Sequence, residues 1–178
     1  MKKTPKKAPA KSAAAPADAK TGYAAPELPA KGEFANVRIA ILSTRWNVGI
    51  VDALGTGARA CLKAWGVPAA NVREFRAPGA YEMPLAALKL LAHGRYDGVV
   101  TLGAVIKGDT PHFDFVAGEC ARGLIDVQLR TGKAVGFGVL TTNTVEQAWA
   151  RAGKGPTNKG YEATAAMLEM IRFGKALA

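Results

Sequence analysis

Tyr96 to Val105 reads YDGVVTLGAV, and this stretch decides the fold. Apolar and β-branched residues follow one another without polar alternation, the pattern of a strand covered on both faces. Helical periodicity lies on either side of it. Upstream, Glu82 to His93 carries Met83, Leu85, Ala86, Leu88, Leu90 and Leu91, a mostly buried helix. Downstream, Asp114 to Arg130 places Val116, Cys120, Leu124 and Val127 on one stripe and stops at Gly132. Further out the alternation repeats. Val37 to Leu42 (VRIAIL), Asn71 to Ala77 and Ala134 to Leu140 (AVGFGVL) read as strands. Val48 to Trp65 reads as a helix closed by Gly66 and Pro68. Thr144-Val-Glu-Gln147 forms a capping box opening a short helix that ends at Gly153, and Lys159 to Ala176 is the last helix. Strands alternating with helices through short connections predict a parallel sheet with helices on both faces. The expected architecture is a flavodoxin-like three-layer α/β sandwich with four parallel strands in the order 2-1-3-4. Ligands of such sheets sit beyond the strand carboxyl ends, where the order reverses. Loops 43–47 and 104–112 are therefore expected to face each other and carry the chemistry.

The 178 residues suit one domain with a segment to spare. Residues 1–33 hold seven Lys, five Pro and ten Ala, too little apolar surface to offset their ordering entropy. They are predicted to be a disordered Lys/Ala/Pro-rich tail, with the domain spanning 34–178. The segment lacks the apolar core of a secretory signal and the Arg content of a mitochondrial presequence. The tail's seven Lys and three acids carry +4 of the net +10, and the longer domain carries the other +6, only a moderately basic balance. Nucleic acid or acidic cargo is therefore expected, if anywhere, only at the tail. No run of about 18 apolar residues is present, so no membrane partner is expected. Two Cys without a CxxC pair give neither a disulfide scaffold nor a zinc site, and both fall on apolar helix stripes. Free thiols favour a reducing, cytoplasmic location.

The two loops hold the candidate chemistry. Trp46 in Ser43-Thr-Arg-Trp-Asn47 either stacks on a flat heterocycle or covers the sheet edge. In GAVIKGDTPHF (Gly103 to Phe113), Gly108, Asp109 and Thr110 precede a helix entrance, where backbone N–H groups favour an anion. Asp109 suits such a nest only if its carboxylate caps the helix. Neither GxGxxG nor GxxxxGK(S/T) occurs, so neither a dinucleotide nor a nucleoside triphosphate is indicated. His112 is a proton-transfer candidate by position, or an ordinary loop residue.

Four blocks then stand out in order: RWN (45–47), APGAYEMP (77–84), GAVIKGDTPHFDFV (103–116) and GFGVLTTNTVEQAWARAG (136–153). NKG follows at 158–160. Over residues 36–175 the chain resembles the 6,7-dimethyl-8-ribityllumazine synthases of riboflavin biosynthesis. The resemblance implies a transferase-type condensation without metal or cofactor. It would join two small molecules, 5-amino-6-(D-ribitylamino)uracil and 3,4-dihydroxy-2-butanone 4-phosphate. The products are the lumazine, phosphate and two waters. Carried over position by position, it implies pyrimidine contacts at Trp46, Asn47, Ala80, Tyr81, Glu82, Ala104, Val105, Ile106 and Phe137. It implies phosphate contacts at Asp109, Thr110, Arg151 and Lys159, with His112 moving protons. It also implies a homopentamer with sites between subunits, twelve pentamers forming a 60-subunit shell in some members. Lys154-Gly-Pro-Thr-Asn158 departs from the turn associated with shells and leaves pentamer and shell open. An indole at position 46 offers a face on which riboflavin itself would stack.

Overall fold

The computed structural model describes residues 26–155 and 157–177. Strands β1 (Ile39–Thr44), β2 (Val72–Ala77), β3 (Gly98–Ile106) and β4 (Ala134–Thr142) alternate with helices. These are α1 (Val48–Ala64), α2 (Met83–Ala92), α3 (His112–Thr131), α4 (Val145–Arg151) and α5 (Lys159–Ala176). Every strand pair is parallel and the order is β2-β1-β3-β4, as the alternation predicts. All six residues of β1 and the first seven of β3 are buried, which is what a strand under helices on both faces requires. Successive side chains divide between two layers. Ile39 and Ile41 of β1, with Val100 and Leu102 of β3, pack with Leu54 and Cys61 of α1 and Leu168 of α5. Ala40, Leu42 and Val99 pack with Met83 and Leu91 of α2 and Cys120 and Leu124 of α3. Glycines end the long helices: Gly66 (φ 74) follows α1 and Gly132 (φ 63) caps α3, a left-handed turn that costs a residue without Cβ little.

The boundaries differ from the sequence reading where burial or a cap decides. The helix expected to begin at Asp114 begins at His112, because Pro111 supplies a φ of −64 at the N-cap and winding starts two residues earlier. His112 therefore opens α3 instead of closing a loop. Helix α2 is less buried than its composition suggests. Leu85 is 60% exposed, because Met83, Ala87 and Leu91 already fill the stripe facing the sheet.

Phe34 and Trp65 seal the end of the sandwich opposite the strand carboxyl ends. Both are buried and meet edge to face at 5.3 Å, with the Arg172 guanidinium 4.8 Å above the Trp65 ring. Truncating either aromatic to Ala would cost about 3–5 kcal/mol. The composition boundary at residue 33 falls inside this corner. Arg172 Nε donates to Glu33 Oε1 at 2.7 Å, its Nη1 donates to the Glu27 carbonyl at 3.3 Å, and Lys175 Nζ donates to the Glu33 carbonyl. The expected tail otherwise falls on residues 1–25, outside the described residues. Burial pushes the Cys61 thiol up to about 12, with Glu169 adding to the effect, and the Cys120 thiol to about 11. Both stay protonated at neutral pH and serve as packing groups. Among the described residues no helix is long and apolar enough to cross a membrane.

Candidate active site

Strand β1 hydrogen-bonds β2 on one side and β3 on the other, so the chain reverses direction across the sheet beyond Thr44. An open crevice of about 610 Å³ lies there, where doubly wound sheets bind ligands. Three segments wall it: the turn after β1, residues 79–82 before α2, and the end of β3 with the start of α3.

The first wall is fixed by Asn47. It takes a left-handed conformation (φ 53, ψ 45), which Asn tolerates better than most residues. Its side chain does not cap α1. Instead Nδ2 donates to the Ala104 carbonyl at 2.9 Å and pins the turn to β3. The neighbouring indole of Trp46 is 72% exposed, so it does not cover the sheet edge. It stands beside Gly79, where a Cβ would come within 3.5 Å of the ring and 3.1 Å of a Glu82 carboxylate oxygen. Ala80, Tyr81 and Glu82 continue this wall.

The floor is the end of β3. Pairing with β1 stops at Leu102, whereas pairing with β4 runs on to Ile106. Beyond Leu102 the β1 side of this backbone is therefore open to the crevice, and Asn47 occupies the Ala104 carbonyl. Free peptide groups along a strand edge recognise planar amides by ordinary N–H to C=O pairing. Ala104, Val105 and Ile106 all line the cavity.

The third wall turns through Gly108, Asp109 and Thr110 into α3. The N-cap residue is Pro111, which makes no side-chain cap bond, and among the described residues no α3 amide donates to the Asp109 carboxylate. Thr110, His112 and Phe113 face the cavity, and His112 is exposed. Phe115 and Val116 also line it, although the sequence reading assigned neither to a site. A signal existed for Phe115. It falls off the Val116-Cys120-Leu124 stripe and is 68% exposed, an aromatic on the outward face of its helix.

Phe137, Arg151 and Lys159 lie elsewhere in the chain. They line a second hollow of about 390 Å³ between β4, the end of α4 and the start of α5. Thr144 Oγ1 accepts from the Gln147 amide at 3.2 Å and caps α4. The Gln147 side chain reaches back to the Asn143 amide, one residue before the position of the usual reciprocal bond. The Glu146 carboxyl is held below its ordinary range by a backbone N–H and by the Thr144 hydroxyl. Arg151 ends α4, with Nη1 donating to the Gln147 carbonyl at 2.9 Å. Lys159 opens α5 and is paired with Glu162.

One cavity thus collects Trp46, Asn47, Ala80, Tyr81, Glu82, Ala104, Val105, Ile106, Thr110 and His112. Asp109, exposed between Gly108 and Thr110, does not line it, and Phe137, Arg151 and Lys159 line the separate hollow. A sheet switch point with an aromatic lip, open strand backbone and a titratable side chain defines a doubly wound α/β enzyme acting on a planar small molecule. Residues 36–175 match the 6,7-dimethyl-8-ribityllumazine synthase family profile. Similar proteins carry the same name. That of Deinococcus deserti is 54% identical over 138 residues, covering 78% of this chain and 88% of its own. That of Deinococcus radiodurans is 54% identical over 142 residues, covering 80% and 92%. That of Desulfovibrio desulfuricans is 49% identical over 151 residues, covering 85% and 94%. The chain belongs to the 6,7-dimethyl-8-ribityllumazine synthase family.

Proposed function

We propose that the chain condenses 5-amino-6-(D-ribitylamino)uracil with 3,4-dihydroxy-2-butanone 4-phosphate to 6,7-dimethyl-8-ribityllumazine, phosphate and two waters, at a site shared by two subunits. The observation that carries this is the crevice itself. It joins an exposed indole, an open strand backbone and His112 in one place. The pyrimidine lies on Trp46, its amide edge pairs with the backbone of Ala104 to Ile106, and the ribityl chain runs along Ala80, Tyr81 and Glu82. The 5-amino group attacks the ketone, and the carbinolamine loses water to give an imine. Elimination then breaks the bond to phosphate, and the ribitylamino nitrogen closes the ring with loss of the second water. His112, which lines the crevice, carries protons between these steps.

The phosphate is received by the backbone amides and Thr110 hydroxyl of the 108–110 turn, and by Arg151 and Lys159 of a neighbouring chain, whose cations also answer the uncapped Asp109 carboxylate; that chain's Phe137 covers the pyrimidine. Two features support this division. Phe137, Arg151 and Lys159 line a hollow of their own. Helix α3 also exposes Ile125 and Leu129, at 49% and 76%, one turn apart on its outward face. Two large apolar side chains exposed side by side favour a protein contact. The assembly is read as a homopentamer, working in the cytoplasm.

His112→Ala is expected to slow lumazine formation on the order of 10²-fold without abolishing it. Holding two substrates together supplies much of the remaining acceleration. Absorbance of the product follows the rate, and an unchanged rate would remove His112 from proton transfer. The exposed indole also supports riboflavin binding in competition with the pyrimidine. Flavin fluorescence is expected to be quenched on titration with the protein and restored by Trp46→Ala. Unquenched emission would contradict stacking.

A further inference from the structure

We infer that Asn158 is a positioning residue for the phosphate-side cations, one buried amide clamping the end of α4 and the start of α5 onto α1. The inference rests on the phosphate role proposed above for Arg151 and Lys159. Those two residues end one helix and begin the next, and the connection between them includes Gly153 and Gly155, the latter at φ 90. Glycines leave such a connection many conformations. Something else must fix the separation of the two cations.

Asn158 is 3% exposed, and both ends of its amide are in use. Nδ2 donates to the carbonyls of Ala152 and Gly153, at 3.0 and 2.7 Å, directly after Arg151. It donates also to the Ala53 carbonyl of α1 at 3.1 Å. Two hydrogens serve three carbonyls, so one is shared. Oδ1 accepts from the amides of Gly160 and Tyr161, at 2.8 and 3.3 Å, directly after Lys159. The side chain lies against bare backbone of α1, since a Cβ on Gly57 would stand 2.2 Å from Oδ1. Capping α5 needs only the acceptor, which Ser, Thr or Asp would supply equally well. The donor end goes beyond a cap: it ties the chain just after Arg151 to the same atom group that starts the helix of Lys159. A shift of about 1 Å in a charged group that must meet a developing anion is worth up to about 10²-fold in rate.

The test is steady-state lumazine formation with each substrate varied in turn, for the parent, Asn158→Ser, Arg151→Ala and the double variant. Ser keeps the acceptor and loses the donor. Asn158→Ser is expected to raise KM for the butanone phosphate about tenfold or more while leaving KM for the pyrimidine within about twofold. In the Arg151→Ala background the same substitution is expected to add less than about twofold, because the two act through one contact. Equal shifts for both substrates, or equal effects in both backgrounds, would reduce Asn158 to a structural part. A flat Asn158→Ser effect beside a marked Arg151→Ala effect would overturn the positioning role alone. No Arg151→Ala effect would take down the phosphate assignment and the positioning role together. Should Asn158→Ser fail to fold, Asn158→Thr keeps the capping acceptor with more of the volume, removes the amide donors and sets no charge against the three carbonyls. It is expected to give the same selective pattern, and its absence would overturn the proposal.

Discussion

Arg151→Ala is expected to lower kcat/KM for the butanone phosphate by on the order of 10²–10³, through both a higher KM and a lower kcat. The reasoning starts from what each cation is already doing. Lys159 is paired with Glu162, so part of its charge is answered within its own chain. Arg151 has no carboxylate partner among the described residues; only its Nη1 is engaged, with the Gln147 carbonyl. The rest of its planar fork is available for two oxygens of one phosphate. Charge builds on those oxygens as the bond to carbon breaks, so the contact strengthens toward the transition state and kcat must fall along with binding. The site shared between chains adds a second readout. Co-refolding the slowed Arg151→Ala and His112→Ala subunits together is expected to raise the rate well above that of either variant alone, since some sites then draw an intact His112 from one chain and an intact Arg151 from its neighbour. Complete failure of complementation, with both variants properly assembled, would place the two residues in one chain's site.

Gly160→Ala is expected to destabilise the fold by at least about 3 kcal/mol, the upper part of the range for overpacked cores. For a chain of this length that lowers Tm by roughly 6–12 °C. Two effects oppose each other. Ala is the better helix former by about 1 kcal/mol, and Gly160 needs no left-handed backbone. Against this, a Cβ there would stand 2.1 Å from the Leu54 carbonyl oxygen and 2.7 Å from its carbon. These are backbone atoms of a buried helix and cannot rotate aside. Relief requires α1 and α5 to separate, which opens the layer of Leu54, Cys61 and Leu168 and strains the Asn158 clamp. Steric exclusion therefore outweighs helix propensity. Thermal or denaturant unfolding measures the balance, and a variant as stable as the parent would mean that the helices do not approach this closely.

Much of this was legible in the residues because the determining signals are local. The unbroken apolar run around Val99–Ala104 identifies an inner strand, since a strand facing water must alternate. Gly132 and the Thr144–Gln147 pair mark helix ends through chemistry confined to a few residues. Right-handed crossovers favour the order 2-1-3-4 in a doubly wound sheet, and the sheet has that order. What escaped depends on distant partners. Asn47 stands out only through the resemblance; its bond to Ala104 spans 57 residues, and only the folded sheet brings them together. Phe115 lies off the α3 stripe, and only the folded crevice gives its exposed ring a role. Leu85 was assigned to a core that Met83, Ala87 and Leu91 fill without it. The apolar stripe starts α3 two residues later than the fold does, because the contribution of Pro111 lies in its backbone angle. Resemblance, more than periodicity, drew attention to Arg151 and Lys159. Nothing in their local spacing ties two cations on an outer surface to a crevice formed by other strands.

The most direct measurement is to mix the purified full-length chain with 5-amino-6-(D-ribitylamino)uracil and 3,4-dihydroxy-2-butanone 4-phosphate and follow the absorbance of the product together with released phosphate. Lumazine and phosphate are expected to appear in equal amounts, far faster than in a mixture without protein. An assembled, correctly folded protein that leaves the uncatalysed rate unchanged would contradict the function proposed for it.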